Sequence, residues 1–437
     1  MFLEIKNIGK FNNAKIEIDG ITVIAGPNNT GKSTIGKFLF CIFNAFYNLE
    51  KKSRNEKLEY CNKIILNNIF NHKLNFRYRI KQMYFSDFSD SNVLKTLDFT
   101  EKEITERIEN FAKNEFNVKV NKSEIKNVIQ EIYHIIEAPI EEYASNVLHQ
   151  VINTEFKEQL INVQHRIGKA KLSLSNEIYE FEFKKNSTSV KKAFDGFTDV
   201  IYIDDPYIID NGYEKHIQFY SVDTPYSDYI PYKFKAGTHQ KNLQNQFYNI
   251  SNISDNTYEM MSYNKKMDDI YSVLSNAVDG DFIVYNEKMA FEEKGNSKPI
   301  YLPNLSTGLK TFVILKKLMD NMVIREKDLV ILDEPEIHLH PEWQLLLAEI
   351  IVLLQRELNL HILINTHSPY FLQAIEVYTA KYKLADRVKY YLTKLDEKSN
   401  YSVINDVTKN TGAIYDLLAY PLKKLYEMEQ IIKRGKC

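Results

Sequence analysis

The sequence predicts an α/β protein: a covered sheet, mixed and then parallel, interrupted by a large helical insertion. Three observations predict it. An apolar run, Ile21 to Ala25, leads into Gly26-Pro-Asn-Asn-Thr-Gly31-Lys32-Ser33 and then into helical spacing from Lys32 to Phe43. A second apolar run, Leu329 to Leu332, ends on the carboxylates Asp333 and Glu334, within a stretch after Lys265 where strands alternate with helices. Between about 46 and 165 the pattern is helical and highly charged. Alternating strands and helices place helices on both faces of a sheet.

The elements follow in order. Phe2 to Lys6 and Ala14 to Ile18 alternate as strands do, and Ile21 to Ala25 is a short buried strand. In the insertion, Thr100 with Glu103 forms a capping box before the stripe Ile104, Ile108 and Phe111. Ser123 is expected to cap a second helix, whose Ile125, Val128, Ile129, Ile132 and Ile136 share a face, and Pro139 to open a third. Strand alternation returns from Lys171 to Phe183 and from Asp199 to Ile203. Residues 210–262 are rich in Tyr, Asn and Ser with weak periodicity, and are expected to form an irregular surface insert. A helix (Met267 to Ala277), a hairpin (Asp281 to Phe291), a helix (Thr307 to Met319), a strand, a helix (Pro341 to Leu358) and a strand (His361 to Asn365) complete the reading. The expected organisation is therefore 1–45 and 166–437 as two parts of one head, with 46–165 inserted.

Composition narrows the function. Lys and Arg number 56 against 58 Asp and Glu, a balance that argues against a generally basic nucleic-acid coat protein or an acidic solvating tail and leaves room for a local basic patch. Cys41, Cys61 and Cys437 lack CxxC spacing, which argues against a disulfide framework or a zinc site and for a reducing, cytoplasmic setting. The most apolar stretch, Leu345 to Leu354, carries Glu349 and is too short for a membrane span.

Residues 26–33 fit GxxxxGK[ST] between a buried strand and a helix. Backbone amides of such a loop wrap a phosphate, the lysine (Lys32) reaches β and γ oxygens, and the Ser33 hydroxyl ligates Mg²⁺ at a helix N-terminus. Asp333 leaves the C-terminal end of an apolar strand, where an α/β sheet binds ligand, and is placed to hold Mg²⁺. Glu334, one residue later, faces differently and is a candidate to polarise an attacking water. Two further motifs are Leu305-Ser306-Thr307-Gly308 before a helix, and Asn365-Thr366-His367-Ser368-Pro369 at the end of a strand.

In this order the four motifs resemble the ABC-type ATPases: Walker A, an LSxG signature, Walker B with its Glu, and a switch histidine. The spacings agree, with 27 residues from Ser306 to Asp333 and 34 from Asp333 to His367. More narrowly, DEPEIHLHPEWQ followed by INTHSPYFLQAI resembles the OLD-related, SMC/RecF-like (AAA15-type) branch. That branch includes the ATPase subunits of bacterial anti-phage systems such as Septu or PARIS. The resemblance is specific over 1–45 and 265–437 and silent between. It implies a P-loop fold of ABC-ATPase type and gives Gly26, Pro27, Asn28, Asn29, Thr30, Gly31, Lys32, Ser33 and Thr34 to the phosphates of ATP. Ser33 and Asp333 go to Mg²⁺, Glu334 is the base and His367 the γ-phosphate sensor. It also implies that Ser306, Thr307 and Gly308 complete the site of a second subunit in a head-to-tail homodimer or an oligomer of dimers.

Departures and decoys complete the picture. The wide gap from Lys32 to Ser306 speaks against a transporter subunit. The metal-sensing loop glutamine is not assignable; Gln82 or Asp204-Asp205-Pro206 stands in its place, and Glu336 to Pro341 replaces the usual D-loop. His338 and His340 lack the further ligands a zinc site needs. Thr393-Lys-Leu-Asp396 matches the guanine-reading motif of GTPases, but a GTPase has neither the LSTG nor the THS motif, so ATP is favoured. The tyrosines from Tyr213 to Tyr263 offer base-stacking rings without interleaved arginine. Only 70 residues follow His367, and Asp386, Asp396, Glu397 and Asp406 do not supply the cluster of a TOPRIM nuclease. The expected function is an ATP-hydrolysing switch in an anti-phage complex, gating an effector nuclease in trans. A SMC/RecF-like DNA-repair ATPase is the alternative, so nucleic-acid binding stays open.

Overall fold

A computed structural model describes residues 1–70, 93–94, 96–116, 119–196, 199–210, 238–248, 257–286, 288–295 and 298–433. Gln82, the tyrosines between 211 and 237, and Cys437 lie outside the described residues.

Among the described residues an 11-stranded sheet organises the chain, in the order β6-β5-β4-β1-β2-β14-β13-β3-β12-β11-β7, beside a small antiparallel sheet of β8 (Gly280–Tyr285), β9 (Lys288–Glu293) and β10 (Ile300–Tyr301). Its parallel part consists of β13 (Val388–Leu395), β3 (Ile21–Ala25), β12 (His361–Thr366), β11 (Leu329–Asp333) and β7 (Val200–Ile203). The other part is antiparallel: β1 (Phe2–Ile8), β2 (Phe11–Glu17), β4 (Gly168–Leu174), β5 (Glu177–Lys184) and β6 (Ser187–Val190). β14 (Ser402–Asp406) joins the two, antiparallel to β13 and parallel to β2. The fold is the α/β P-loop type that the sequence predicts.

Helices cover both faces because the buried strands are apolar on both sides. On β3, Ile21, Val23 and Ala25 enter one core, while Ile24 enters the other. The second core takes in α1 (Lys32–Phe46), which leaves the loop after β3, and α5 (Ile140–Phe156). The first core packs α6 (His239–Tyr248), α7 (Thr257–Leu274), α8 (Thr307–Asp320), α9 (Pro341–Leu358) and α10 (Pro369–Lys381). A third, separate cluster joins α2 (Leu49–Phe70), α3 (Glu101–Phe116) and α4 (Lys122–Ile136) through Cys61, Ile65, Ile104, Ile108, Ile129 and Ile132. The C-terminal helix α11 (Gly412–Lys433) packs by Ile414 and then runs into solvent. Among the described residues no helix is long and apolar enough to cross a membrane.

The structure departs from the sequence reading in several places. The capping box of Thr100 and Glu103 is present, with the Thr100 amide donating to Glu103 Oε2 at 2.8 Å. Ser123, however, is not the cap of α4. Asn121 is, its side chain accepting from the Ser123 amide at 3.1 Å, and Ser123 stands inside the first turn. Pro139 is the N-cap of α5 rather than its first residue. The alternation from Lys171 to Phe183 is a hairpin of two strands, folded where Ser175 takes φ 54°. Within 210–262, the described residues are not irregular: α6 and the first turns of α7 lie there. Leu243 and Phe247 of α6 are buried in the first core, so tertiary burial overrides a weak helical pattern.

Candidate functional site

Four parallel strands end side by side, and each delivers a loop to the same edge. β3 leads to the phosphate loop, β11 to Asp333 and Glu334, β12 to Thr366 and His367, and β7 to Asp204. This is the strand-end crevice where ligands bind in α/β sheets.

The loop is held from below. A Cβ on Gly26 would lie 2.3 Å from Thr393 Oγ1 and 2.4 Å from its carbonyl oxygen, so only glycine fits there. Thr30 donates to the Pro27 carbonyl at 2.8 Å and stands 2.8 Å from Thr393 Oγ1. Thr393 therefore supports the phosphate loop. Asp396, the other half of the guanine-reading decoy, accepts from Ser399 and Lys398 of its own turn. Pro27, Asn28 and Asn29 are exposed, Asn29 at φ 66°, while Ser33 and Thr34 are half-buried at the start of α1. Gly31 caps α1 with no side-chain bond, which leaves the first amides of the helix uncapped by a side chain.

Lys32 is buried, and its Nζ donates to the carbonyls of Gly26 (2.9 Å) and Pro27 (3.1 Å). Burial pulls its ammonium below the usual lysine range, against the opposing pull of Glu334, Asp333 and Glu336. Glu334 Oε1 lies 3.7 Å from Lys32 Nζ and 3.3 Å from His367 Nδ1. The second contact is close without hydrogen-bond alignment, since His367 Nδ1 has no hydrogen-bond partner. Glu334 sits at φ 53°, a region that non-glycine residues enter rarely, and its amide donates to the Asn365 carbonyl at 2.8 Å. From that turn its carboxylate reaches Lys32 and His367. Asp333 is buried and accepts from the Tyr202 hydroxyl (2.7 Å) and from Asn365 Nδ2 (2.9 Å).

Sequence reasoning missed Glu336 as a site residue. Its Oε1 accepts from Thr366 Oγ1 (2.5 Å) and the His367 amide (3.2 Å), which fixes the switch loop to the acidic loop. Burial pushes its carboxyl up, opposed by the Thr366 hydrogen bond. A third carboxylate in DEPE, two residues after the candidate base, was the available signal. Sequence reasoning also missed Tyr202, whose place in VIYI reads only as strand.

The signature residues stand elsewhere. Ser306 caps α8, its Oγ accepting from the Leu309 amide at 3.4 Å. Thr307 Oγ1 is 2.8 Å from the Tyr207 hydroxyl, and a Cβ on Gly308 would come within 3.1 Å of the His338 carbonyl and the Trp343 ring. Ser306, Thr307, Gly308, His338, His340 and Trp343 line a cleft of about 380 Å³, which no phosphate-loop residue enters. His340 caps α9, accepting from the Glu342 amide at 3.4 Å. Asp204 and Asp205, candidates for the metal-sensing place, have local partners: Asp204 lies 2.7 Å from His239 Nε2, and Asp205 accepts from the Tyr207 amide at 2.8 Å.

Among solved structures, the chain is similar to a Smc head bound to the C-terminal winged-helix domain of ScpA (11% identity, 94% of this chain and 98% of that one, TM-score 0.45). It is also similar to the SMC head domain from Thermotoga maritima (13%, 93% and 98%, TM-score 0.38). A third is the Pyrococcus furiosus Smc head domain with an extended coiled coil, bound to the C-terminal domain of ScpA (10%, 95% and 98%, TM-score 0.42). These likenesses are remote. The family described as AAA ATPase domain matches residues 1–372. That span holds the phosphate loop, the signature, the acidic strand end and His367, and the chain belongs to the AAA ATPase domain family: it is an ATPase.

Proposed function

We propose that the chain is a Mg²⁺-dependent, ATP-hydrolysing switch subunit of a bacterial anti-phage complex, working in the cytoplasm and gating an effector nuclease in trans. The observation that carries the hydrolytic reading is Glu334, set between Lys32 and His367 at the strand-end edge. The backbone N–H groups between Gly26 and Thr34, Pro27 having none, hold the phosphates, and Lys32 exchanges its loop carbonyls for β and γ oxygens. Glu334 takes the proton of a water as its oxygen bonds the γ-phosphorus and the bond to the β–γ bridging oxygen breaks. His367, fixed through Glu336, contacts the γ-phosphate. Ser33 and Asp333 are the residues that would hold Mg²⁺, since hydroxyl and carboxylate oxygens are the donors this hard ion takes. When bound, the ion neutralises charge on the β and γ oxygens.

A signature cleft lined by no phosphate-loop residue supports action on a second subunit. The N-terminus of α8 carries a serine hydroxyl and suits an anion. The defence role rests on the DEPEIHLHPEWQ and INTHSPYFLQAI resemblance. A SMC/RecF-like DNA-binding ATPase is the second reading: on the antiparallel sheet Lys169, Lys171, Lys184, Lys191 and Lys192 share only Glu177, Glu180 and Glu182, and DNA retention on filters that falls steeply with salt would favour it. We also read 46–165 as an insertion carried by this head, one whose last helix, α5, packs into the head's second core.

Ser306→Arg tests the trans arrangement. A bulky cation there opposes the helix dipole and fills the space a phosphate needs. Nucleotide binding by the monomer should persist while ATPase activity is lost. Mixing Ser306→Arg with Lys32→Ala, itself inactive, should restore partial turnover, because a mixed dimer holds one intact composite site. Full turnover by Ser306→Arg alone would exclude a trans signature. For the defence role, cells carrying this chain with its neighbouring reading frame should resist phage, and Lys32→Ala should remove that protection.

A further inference from the structure

We propose that Tyr202 is a positioning residue for the metal carboxylate: its hydroxyl holds Asp333 in the orientation that receives Mg²⁺. The inference rests on the reading of Asp333 as a metal-binding group. No motif marks Tyr202, which lies on a neighbouring strand 131 residues before Asp333.

The geometry is specific. Each Asp333 oxygen accepts one side-chain donor, Oδ2 from Tyr202 at 2.7 Å and Oδ1 from Asn365 at 2.9 Å. A carboxylate oxygen can accept twice, so each keeps capacity for a metal or its water while the two donors fix the plane of the group. The direction of the Tyr202 bond is set by chemistry. An ionised carboxylate only accepts, so the phenol hydroxyl is the donor.

The ring is seated from several sides. It packs edge-on to Phe40 of α1 (6.2 Å, 83°) and lies 4.5 Å from the His239 ring. His239 is itself clamped, Nδ1 to Glu155 and Nε2 to Asp204, each at 2.7 Å. Gly36 of α1 gives the hydroxyl its passage. A Cβ there would stand 3.2 Å from Tyr202 Cε2, 3.4 Å from its hydroxyl and 3.0 Å from Ile331 Cγ2. Glycine inside a helix is less stable than alanine, and here it keeps the tyrosine beneath the phosphate-loop helix within reach of Asp333. Partners that orient a metal ligand in this way typically carry about 10–100-fold of metal affinity.

The test is Tyr202→Phe in the full chain, which keeps the ring and removes one oxygen. Mn²⁺ binding in the presence of the imido analogue of ATP is followed by electron paramagnetic resonance, beside nucleotide affinity measured in EDTA. Tyr202→Phe should weaken Mn²⁺ binding at least about tenfold, with metal-free nucleotide affinity within about twofold of the parent as the readout of an intact fold. Asp333→Ala is the control. If Asp333→Ala weakens Mn²⁺ binding and Tyr202→Phe does not, the positioning role of Tyr202 is overturned while the metal site stands. If Asp333→Ala leaves Mn²⁺ binding unchanged, the metal reading fails and the inference with it. If Tyr202→Phe loses metal-free nucleotide binding as well, the tyrosine supports the fold at large and the positioning role is overturned.

Discussion

The sheet body and the helical cluster of α2, α3 and α4 both bury polar groups, and they use them differently. In the cluster, Asn62 is buried and its amide is spent on local structure: Nδ2 donates to the Leu58 and Leu94 carbonyls, and Oδ1 accepts from the Leu94 amide. At the strand ends of the body, Glu336 Oε2, Asn365 Oδ1 and His367 Nδ1 have no hydrogen-bond partner, and Lys32 is held by loop carbonyls. A buried polar group without a partner costs free energy that a fold alone gives no reason to spend. Unpartnered buried atoms also occur in the body far from that edge, as at Gln355 and Tyr263, but at the edge they gather beside the buried Lys32, which suits it to meet something charged. α5 belongs with the body despite its place in the chain, because Val147, Leu148 and Val151 enter the second core and Glu155 clamps His239.

Glu334→Gln breaks that comparison hardest. It retains the side-chain shape and leaves Asp333 untouched, but an amide cannot take the proton from water. Single-turnover hydrolysis should fall by about 10²–10⁴, with ATP still bound on filters. Turnover at the parent rate would move the base elsewhere, with His367 the next candidate.

How far the sequence carried can be seen in the same residues. The phosphate loop, Asp333, Glu334 and His367 were legible because each sits at a strand end marked by an apolar run, so local pattern and chemistry coincide. Tyr202 and Glu336 were not, because their contacts with Asp333, Thr366 and His367 arise from neighbours that only the sheet order brings together. Ser123 looked like a cap and Asn121 is one: two capping residues stood near the same helix start, and sequence alone does not rank them. The hairpin at Ser175 hid inside a continuous alternation, since a two-residue turn preserves the period on both sides.

A medium-sized effect is expected at His239. Burial lowers its pKa, but the Asp204 and Glu155 hydrogen bonds outweigh that and push it up to about 9. Between pH 6.5, the ordinary histidine value, and about 9 the folded chain holds a proton here that the unfolded chain has released. Its contribution to stability is thus complete below 6.5 and lost as pH rises through 9. Denaturant unfolding across that window should show falling stability, and His239→Gln should flatten the slope. A parent and variant with equal slopes would mean that His239 is neutral in the folded protein.

The smallest effect on turnover is expected from the cluster. Ile132 is fully buried there among α2, α3 and α4, and it touches neither of the body's two cores. Ile132→Ala removes apolar volume that its neighbours cannot fully close over, a loss of about 2–5 kcal/mol where it falls. If the cluster is a separately packed unit, that loss is local. Amide hydrogen exchange should quicken across α2, α3 and α4, while β3, β11 and β12 keep their protection. ATP affinity and turnover should then stay within about twofold of the parent, because a separately packed core passes little of its strain to the strand ends. A fall in turnover matching that of Glu334→Gln would show the two regions to be one cooperative unit. The satisfied amide of Asn62 and the unpartnered oxygens of Glu336 and Asn365 would then belong to a single design, in which the helical cluster holds the strand-end edge in its working shape.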